Sequence, residues 1–120
     1  MNKVLIAYRI VEIKNKKVHS LFHGTNGSRV IPVSQWVDCK KGTVTDGSHG
    51  YEYEAGWHFL PTEEEANNFF NSLFKVKENR YVIPCFVSEN IHKKREKKNG
   101  KRECYLANKI FIPQAVLNSI

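Results

Sequence analysis

The chain has 120 residues, of which 41% are hydrophobic, and a formal net charge of +7. This length suits one compact domain, residues 1–120, that buries roughly two thirds of its unfolded surface. No apolar run approaches the roughly 18 residues of a membrane-spanning helix, and Arg9 and Glu12 interrupt the hydrophobic N-terminus, which argues against a signal peptide. We therefore expect a cytoplasmic protein without a membrane partner.

The first predicted elements are two strands of a hairpin. Residues 3–13, "KVLIAYRIVEI", alternate in the way that is typical of a strand. One alternating face holds Val4, Ile6, Tyr8 and Ile10. The polar turn "KNKK" then leads into a second strand, "VHSLFH".

The next stretch is predicted to be mostly loop. "GTNGS", residues 24–28, is a loop whose backbone N–H groups could point at an anion, although most such loops bind nothing. "RVIPVSQWVDC" is predicted to be a short extended segment anchored by Trp36. Residues 40–55 carry three glycines and little periodicity, so they predict a long loop with room for a weak hairpin.

A helix is predicted over about 63–74. Thr62 is a natural N-cap, and Glu65 three residues later completes a capping box. The following apolar residues recur at helical spacing and predict a core-facing stripe rather than a cofactor site. They are Ala66, Phe69, Phe70, Leu73 and Phe74.

The C-terminal third predicts two more strands. "RYVIPCFVS" predicts a strand over 80–88, in which Pro84 favours an edge position or a bulge. "ECYLANKIFI" predicts a single final strand, and the tail "PQAVLNSI" adds a short helical turn. The predicted fold class is α+β: a mostly antiparallel β-sheet with one well-defined helix packed on it.

The positive charge is concentrated in one segment. Residues 93–103, "KKREKKNGKRE", hold seven Lys or Arg and two Glu, a net of +5 out of +7. Such a run is usually a solvated loop or hairpin tip, and the Asn99-Gly100 pair favours a turn. The alternative is an arm that binds nucleic acid, a host protein or the phosphates of a smaller ligand. The side chains that would make those contacts are Lys93, Lys94, Arg95, Lys97 and Lys98.

The cysteines predict neither disulfides nor a metal site. Cys39, Cys85 and Cys104 are odd in number, far apart and without a C-x-x-C motif. This pattern favours free thiols in a reducing compartment. We expect no metal and no cofactor.

"GWH" at residues 56–58 is the most informative short motif. Pro61 precedes the helix cap, so Trp57–Leu60 is predicted to be extended. Neighbours on a strand point to opposite sides, so Trp57 and His58 cannot share one packed surface. Either one of them lines a cleft near the helix N-terminus, where a phosphate would fit, or Trp57 packs in the core while His58 bonds a loop carbonyl.

The order of these segments resembles a widespread group of small tailed-phage proteins. The markers are Leu21, Phe22, Ile31, Pro32, Trp36, Gly56, Trp57, His58, Tyr105, Leu106 and Ala107. Phage proteins of this size include the Thoeris anti-defence proteins, which are compact β-rich oligomers that sequester nucleotide immune signals such as cyclic ADP-ribose isomers. The similarity to that family is one of size, compartment and phage origin, without a motif matched residue by residue.

A second resemblance is local. "LFHGT", Leu21–Thr25, is similar to the opening motif of ADP-ribosyltransferases, in which a strand histidine holds the NAD ribose. The resemblance implies that His23 takes this role, that Trp57 or Phe59 replaces the stacking tyrosine, and that Glu89 supplies the acid. A strand-end histidine that pins the Gly24 turn is the simpler interpretation of His23.

The hypothesis favoured by the sequence is a non-enzymatic phage-type protein that sequesters a nucleotide-like immune signal, a cyclic ADP-ribose isomer or cyclic oligonucleotide, and so blocks host defence. Trp57 or Tyr105 would stack on a base, Arg29 or Arg102 would hold phosphates, and His58 or Asn108 would read polar edges. The candidate ligand-binding residues are therefore Trp57, His58, His23, Arg29, Arg102, Tyr105 and Asn108, with none assigned to catalysis. A homo-oligomer would help so small a chain enclose the ligand. The alternatives are an ADP-ribosyltransferase-like enzyme that uses NAD and a basic inhibitor of a host nucleic-acid-binding protein.

Overall fold

A computed structural model describes residues 3–20, 30–39, 43–45, 52–54, 56–73, 78–89, 91–93 and 105–120. The strands in this part of the chain are β1 (Val4–Lys14), β2 (Lys17–Ser20), β3 (Val30–Ile31), β4 (Trp36–Asp38), β5 (Thr43–Thr45), β6 (Glu52–Glu54), β7 (Trp57–Phe59), β8 (Arg80–Ser88), β9 (His92–Lys93), β10 (Tyr105–Ala107) and β11 (Lys109–Phe111). The helices are α1 (Glu63–Leu73) and α2 (Gln114–Asn118).

The described chain is mostly antiparallel β-sheet, as predicted. Six strands form one sheet in the order β3-β2-β1-β8-β11-β4, three form a second in the order β7-β10-β9, and β5 pairs with β6. Every pairing among these strands is antiparallel. The helical part is α1, which contacts β1 and β8, together with the short α2.

Five strands are linked to their neighbours in a closed circle that we call the strand ring: β1, β8, β11, β10 and β7. Within it β1 pairs with β8, β8 with β11, and β10 with β7. Asn108 joins β10 to β11. The last link is between Tyr8 of β1 and Leu60 just after β7, whose N–H groups donate to each other's carbonyl oxygens at 2.9 and 2.8 Å. The ring thus ties the two larger sheets together around one core.

The core takes residues from most strands of both larger sheets. The buried cluster comprises Ala7, Val11, Val18, Ile31, Cys39, Trp57, Phe59, Ile83, Cys85, Val87, Ala107, Ile110 and Ile112. Trp57 is the largest of its fully buried side chains. One shared core across these strands is the arrangement expected for a single layered domain.

The predicted hairpin of β1 and β2 is present. Asn15 and Lys16 form its tip with φ of 51° and 59°, and Lys14 pairs with Lys17. Positive φ at both tip residues is the turn geometry whose twist matches that of the flanking strands. Residues 21–23 of the predicted second strand lie outside the described residues.

The inward face of β1 is not the one that the apolar alternation indicated. Ala7, Arg9 and Val11 are buried, whereas Val4 and Ile6 are 53% and 64% exposed. Both faces of this strand carry apolar residues, so hydrophobicity alone does not distinguish them. The smaller Ala7 and the long Arg9 fill the side that contains Trp57, and the bulkier aliphatic face is left outside.

Helix α1 begins as its capping residues predict. The Glu65 backbone N–H donates to Thr62 Oγ1 at 3.1 Å, which satisfies one of the free donors of the first turn. Ala66 is fully buried, and Phe69 and Phe70 are half-buried. The helix extends to Leu73, and residue 74 lies outside the described residues.

Pro84 does not have the effect that the sequence predicts. β8 is an internal strand of the six-stranded sheet, and its register with β1 runs one-to-one from Arg80 to Ser88, so it is neither an edge strand nor bulged. The ladder from β8 to β11 covers only Phe86–Ser88. Pro84, which has no N–H to donate, therefore lies beyond the end of that ladder.

Two further expectations need correction. The predicted final strand is split at Asn108 into β10 and β11, which belong to different sheets. Trp36 is 42% exposed and anchors nothing in the core. The weak hairpin that the sequence allowed for within residues 40–55 is present, with β5 paired to β6. The predicted turn at the C-terminus is present as α2.

Candidate functional site

The Gly-Trp-His motif forms β7 and places its two large side chains on opposite sides. Trp57 has no exposed surface, and its Nε1–H donates to the Val37 carbonyl at 3.0 Å. Phe59, two residues on, is also buried, whereas His58 between them is half-buried. The Trp57 ring is thus enclosed by protein, so the expected stacking of Trp57 on a ligand has no accessible surface in this structure.

Gly56 is required by a close approach of two strands. A Cβ at this position would lie 2.8 Å from Leu106 Cβ and 3.3 Å from the Ala107 carbonyl oxygen. Such distances exclude a side chain unless β7 and β10 separate. The glycine lets the backbone before β7 lie directly against β10 and thereby fixes the position of Trp57.

Arg9 is a buried cation beneath Trp57 that the sequence interpretation did not single out. It is 4% exposed, and its guanidinium carbon lies 5.3 Å from the centroid of the Trp57 ring. Its Nη1 donates to the His58 carbonyl at 2.6 Å. The sequence did contain a signal that Arg9 faces inward: it alternates with Ala7 and Val11, so the three side chains lie on the same face of β1.

Tyr105 is the aromatic candidate on β10 that is packed against the core and still partly exposed. It is half-buried and stacks on Phe59 with a centroid distance of 5.8 Å and an interplanar angle of 30°. On its other flank Tyr105 pairs with Lys93 of β9, the first residue of the basic segment. We call Phe59 and Tyr105 the Tyr105 platform.

His58 lies on the other face of the same sheet. It pairs with Leu106, which in turn pairs with His92, so this row alternates with the Tyr105 platform. A ligand that covers Tyr105 would therefore reach the His58 side chain only around the edge of β7. The structure does not bring these two candidates together on one surface.

Asn108 lies at the crossover between the two larger sheets. Its backbone N–H donates to the Glu89 carbonyl at 2.8 Å, and its carbonyl accepts from the Cys39 N–H at 2.7 Å. Its side chain is half-buried. These two hydrogen bonds fix the backbone of Asn108, which lies three residues after Tyr105 in the chain.

Glu89, the acid of the ADP-ribosyltransferase resemblance, has a nearby cation. It directly follows β8 with a φ of 60°, and its Oε1 lies 3.5 Å from Lys109 Nζ. A carboxylate paired in this way is held by the fold. His23, the other polar residue of that resemblance, lies outside the described residues.

Several candidates cannot be placed. Arg29 and Arg102, as well as the basic residues Lys94, Arg95, Lys97 and Lys98, lie outside the described residues, as does Cys104. The strands on either side of the basic segment, β9 and β10, pair with each other. Lys93, the first residue of the segment, is therefore fixed opposite Tyr105.

The described cysteines are free thiols, as predicted, and both are buried. Burial raises the pKa of Cys85 to about 12, an effect that the nearby Arg9 charge partly offsets. A thiol with so high a pKa is protonated at neutral pH and is a poor nucleophile. Cys85 is thus a packing residue.

Metal binding and membrane insertion receive no support from this part of the chain. Among the described residues, no three His, Cys, Asp or Glu side chains gather closely enough to hold a metal ion. Neither α1 nor α2, the helices of the described residues, is long and apolar enough to cross a bilayer.

A second feature that the sequence did not reveal is an exposed apolar row across four strands. Ile6 pairs with Phe86, Phe86 with Phe111, and Phe111 with Trp36. Adjacent rings are in contact, with centroid distances of 6.2 Å between Phe86 and Phe111 and 5.5 Å between Phe111 and Trp36. We call this row the aromatic ladder.

No protein-family model, curated protein or solved structure matched the chain. The function is therefore inferred from the residues themselves.

Proposed function

We propose that the protein acts by binding rather than by covalent chemistry, and that its ligand is a nucleotide-like anion. The Tyr105 platform carries this proposal. A partly exposed aromatic ring that packs against its cross-strand neighbour Phe59 offers a surface on which a base can stack. The pairing of Tyr105 with Lys93 places the start of a +5 segment beside that ring, where phosphates would be held.

The other expected contacts follow from this position. Arg102 is three residues before Tyr105 in the chain, so it is the nearest arginine for a phosphate. Asn108, three residues after Tyr105, would read a polar edge of the base. His58 lies on the opposite face and is a weaker candidate. The resemblance to phage proteins adds the biological role: sequestration of a nucleotide immune signal in the host cytoplasm.

Binding is favoured over catalysis because two groups that could take part in covalent chemistry, Cys85 and Glu89, are engaged by the fold. Cys85 is protonated and buried, and Glu89 is paired with Lys109. An acid that steers a nucleophile needs a free carboxylate oriented towards the substrate. The ADP-ribosyltransferase alternative would need Glu89 to leave Lys109.

The test is a ligand-release experiment. The purified chain is incubated with NAD and a panel of cyclic nucleotide signals, free ligand is removed, the protein is heat-denatured, and the released compounds are identified by mass spectrometry. We expect one intact compound. Release of nicotinamide, or an increase in protein mass, would establish the enzyme instead, and recovery of nothing would refute a small nucleotide ligand.

Matched variants locate the site. Tyr105→Leu keeps an apolar contact with Phe59 but removes the stacking face, so we expect about tenfold weaker binding of the recovered compound. Tyr81→Leu changes a tyrosine of β8 that is 39% exposed and should leave binding unchanged. Equal loss in both variants would place the ligand elsewhere.

A further inference from the structure

Three lysines lie together at the tip of the β1–β2 hairpin. They belong to the stretch "KNKK", Lys14–Lys17, in which all four residues are exposed. Asn15 and Lys16 form the turn, and Lys14 and Lys17 are the cross-strand pair that closes it. We call Lys14, Lys16 and Lys17 the lysine tip.

The lysine tip lies at one end of the six-stranded sheet. The pairing of β1 with β8 ends at Glu12, and the pairing of β2 with β3 ends at Val18. Among the described residues, no third strand pairs with the row that Lys14 and Lys17 form. The lysines are therefore presented to solvent from a tight turn between two paired strands.

This arrangement lowers the stability of the hairpin. Like charges directly opposite each other on paired strands repel, and Lys14 and Lys17 are placed in this way. Lys16 has a φ of 59°, at the second position of a turn where glycine is favoured. Because these side chains are exposed, packing accounts for neither choice. Sequence choices that cost stability without a gain in packing are expected at functional sites.

The carboxylates near this end of the sheet do not balance the lysine tip. Glu12 is shared between two cations, since its Oε1 lies 3.2 Å from Lys14 Nζ and its Oε2 lies 3.9 Å from Arg80 Nε. Glu78 is exposed and lies two residues before Arg80. The ion pairs of the described residues include neither of the other two lysines of the tip. The lysine tip and Arg80 thus outnumber the two carboxylates by four to two.

The chemistry of the lysine tip fits a dense array of phosphates. A lysine ammonium binds phosphate as a point charge. The tip has no aromatic side chain on which a single-stranded base could stack, and no apolar side chain that could enter a lipid surface. Duplex nucleic acid needs neither, and it presents one phosphate charge per about 1.7 Å of its axis.

We infer that the lysine tip contacts the phosphate backbone of double-stranded nucleic acid. Contacts of this kind position a protein on the duplex and do not read its base sequence. The net charge of +7 steers the chain towards such a polyanion. The contact uses no residue of the Tyr105 platform, so it does not depend on the nucleotide ligand proposed above.

The test is the salt dependence of binding to a fluorescein-labelled DNA duplex, measured by fluorescence anisotropy between about 50 and 200 mM salt. Three lysine–phosphate contacts should contribute about 2.7 to the steepness of log K against log salt concentration. In the triple variant Lys14→Gln, Lys16→Gln, Lys17→Gln we expect a slope shallower by this amount and binding about tenfold or more weaker at low salt. Lys3→Gln, the control, removes an exposed lysine that precedes β1 and should leave slope and affinity close to those of the wild type.

The single variant Lys17→Gln separates binding from folding. It should reduce the slope by about 0.9, the value for one phosphate contact. It also removes the like charge opposite Lys14, so the free energy of unfolding in urea should not fall. A loss of stability would give Lys17 a role in the fold and contradict the inference.

Two further outcomes would overturn the inference. One is a slope that stays the same in the triple variant, because the duplex would then be held by other residues. The other is a wild-type chain that binds vesicles containing phosphatidylserine but not the duplex, because its partner would then be a lipid surface.

Discussion

The guanidinium carbon of Arg9 lies 5.3 Å from the centroid of the Trp57 ring, inside the core of the protein. Arg9, a buried cation, thus packs against Trp57, the largest fully buried side chain. Arg9 also donates a hydrogen bond to the carbonyl of His58, the residue after Trp57. An arginine stacked on an indole keeps its charge while its apolar faces are covered. β1 and β7 are held together by this contact as well as by the Tyr8–Leu60 pair.

We expect Arg9→Met to lower the free energy of unfolding by about 2 kcal/mol, because it keeps the bulk of the stem but leaves the His58 carbonyl without this donor. The measurement is urea denaturation followed by far-UV circular dichroism. Arg80→Met is the matched control: Arg80 is more exposed, its carboxylate contact at 3.9 Å is long, and its loss should cost less than about 1 kcal/mol. Similar losses in both variants would argue against a special role for Arg9.

Gly56→Ala should destabilise the protein by about 1–3 kcal/mol, because the new Cβ would force β7 away from β10. The same alanine at Asn67, an exposed position of α1, should change stability by less than about 0.5 kcal/mol. Thermal and urea unfolding of the two variants provide the comparison. If Gly56→Ala were as stable as Asn67→Ala, the strands would not be as close as described.

Thr62→Ala should lower stability by about 1 kcal/mol through loss of the N-cap of α1. Thr62→Ser retains the hydroxyl oxygen that accepts from Glu65 N–H and should stay close to the wild type. A difference between the two variants in urea denaturation would assign the effect to the cap. Equal stabilities would show that solvent replaces the cap at no cost.

Cys85 should make stability dependent on alkaline pH. Its folded-state pKa of about 12 exceeds the value of 9.0 for an unperturbed thiol, so the thiol ionises first in the unfolded chain. Its contribution is fully present below pH 9 and is lost as the pH rises towards 12, which amounts to about 1 kcal/mol between pH 8 and pH 10. Urea denaturation at these two pH values measures it. In Cys85→Ala the loss over this interval should be smaller by that amount, and an identical loss would contradict the assignment.

The sequence predicts the local elements well and their surfaces poorly. The N-cap at Thr62, the hairpin turn at Asn15 and the strand over 80–88 depend on neighbours in the chain, and all three are confirmed. Which face of β1 is buried depends on which of its two apolar faces packs against Trp57. That packing is set by the tertiary structure and not by the local sequence. The aromatic ladder could not be found in the same way, because Ile6, Phe86, Phe111 and Trp36 come from four strands whose register is set only by the fold.

The candidate site was predicted in part. "GWH" correctly indicated that Trp57 and His58 point to opposite sides, but periodicity could not say which of them is buried. Asn108 was expected within one continuous strand, yet the chain changes sheets there, and only the pairing of Glu89 and Cys39 with its backbone reveals this. Arg9 was taken as an interruption of a hydrophobic segment, since a lone cation in a strand is usually solvated.

The strand ring has a consequence for how the protein is made. β1 and β8 are separated by more than 60 residues, and the two links through β10 and β11 are supplied only by the last sixth of the chain. During synthesis from the N-terminus, β1, β7 and β8 therefore emerge before the strands that close them into one layer around Trp57. Until residue 111 has left the ribosome, one side of the core is uncovered. A chain that stops short of β10 would therefore expose the apolar side chains of Trp57, Phe59 and Val87, which favours aggregation.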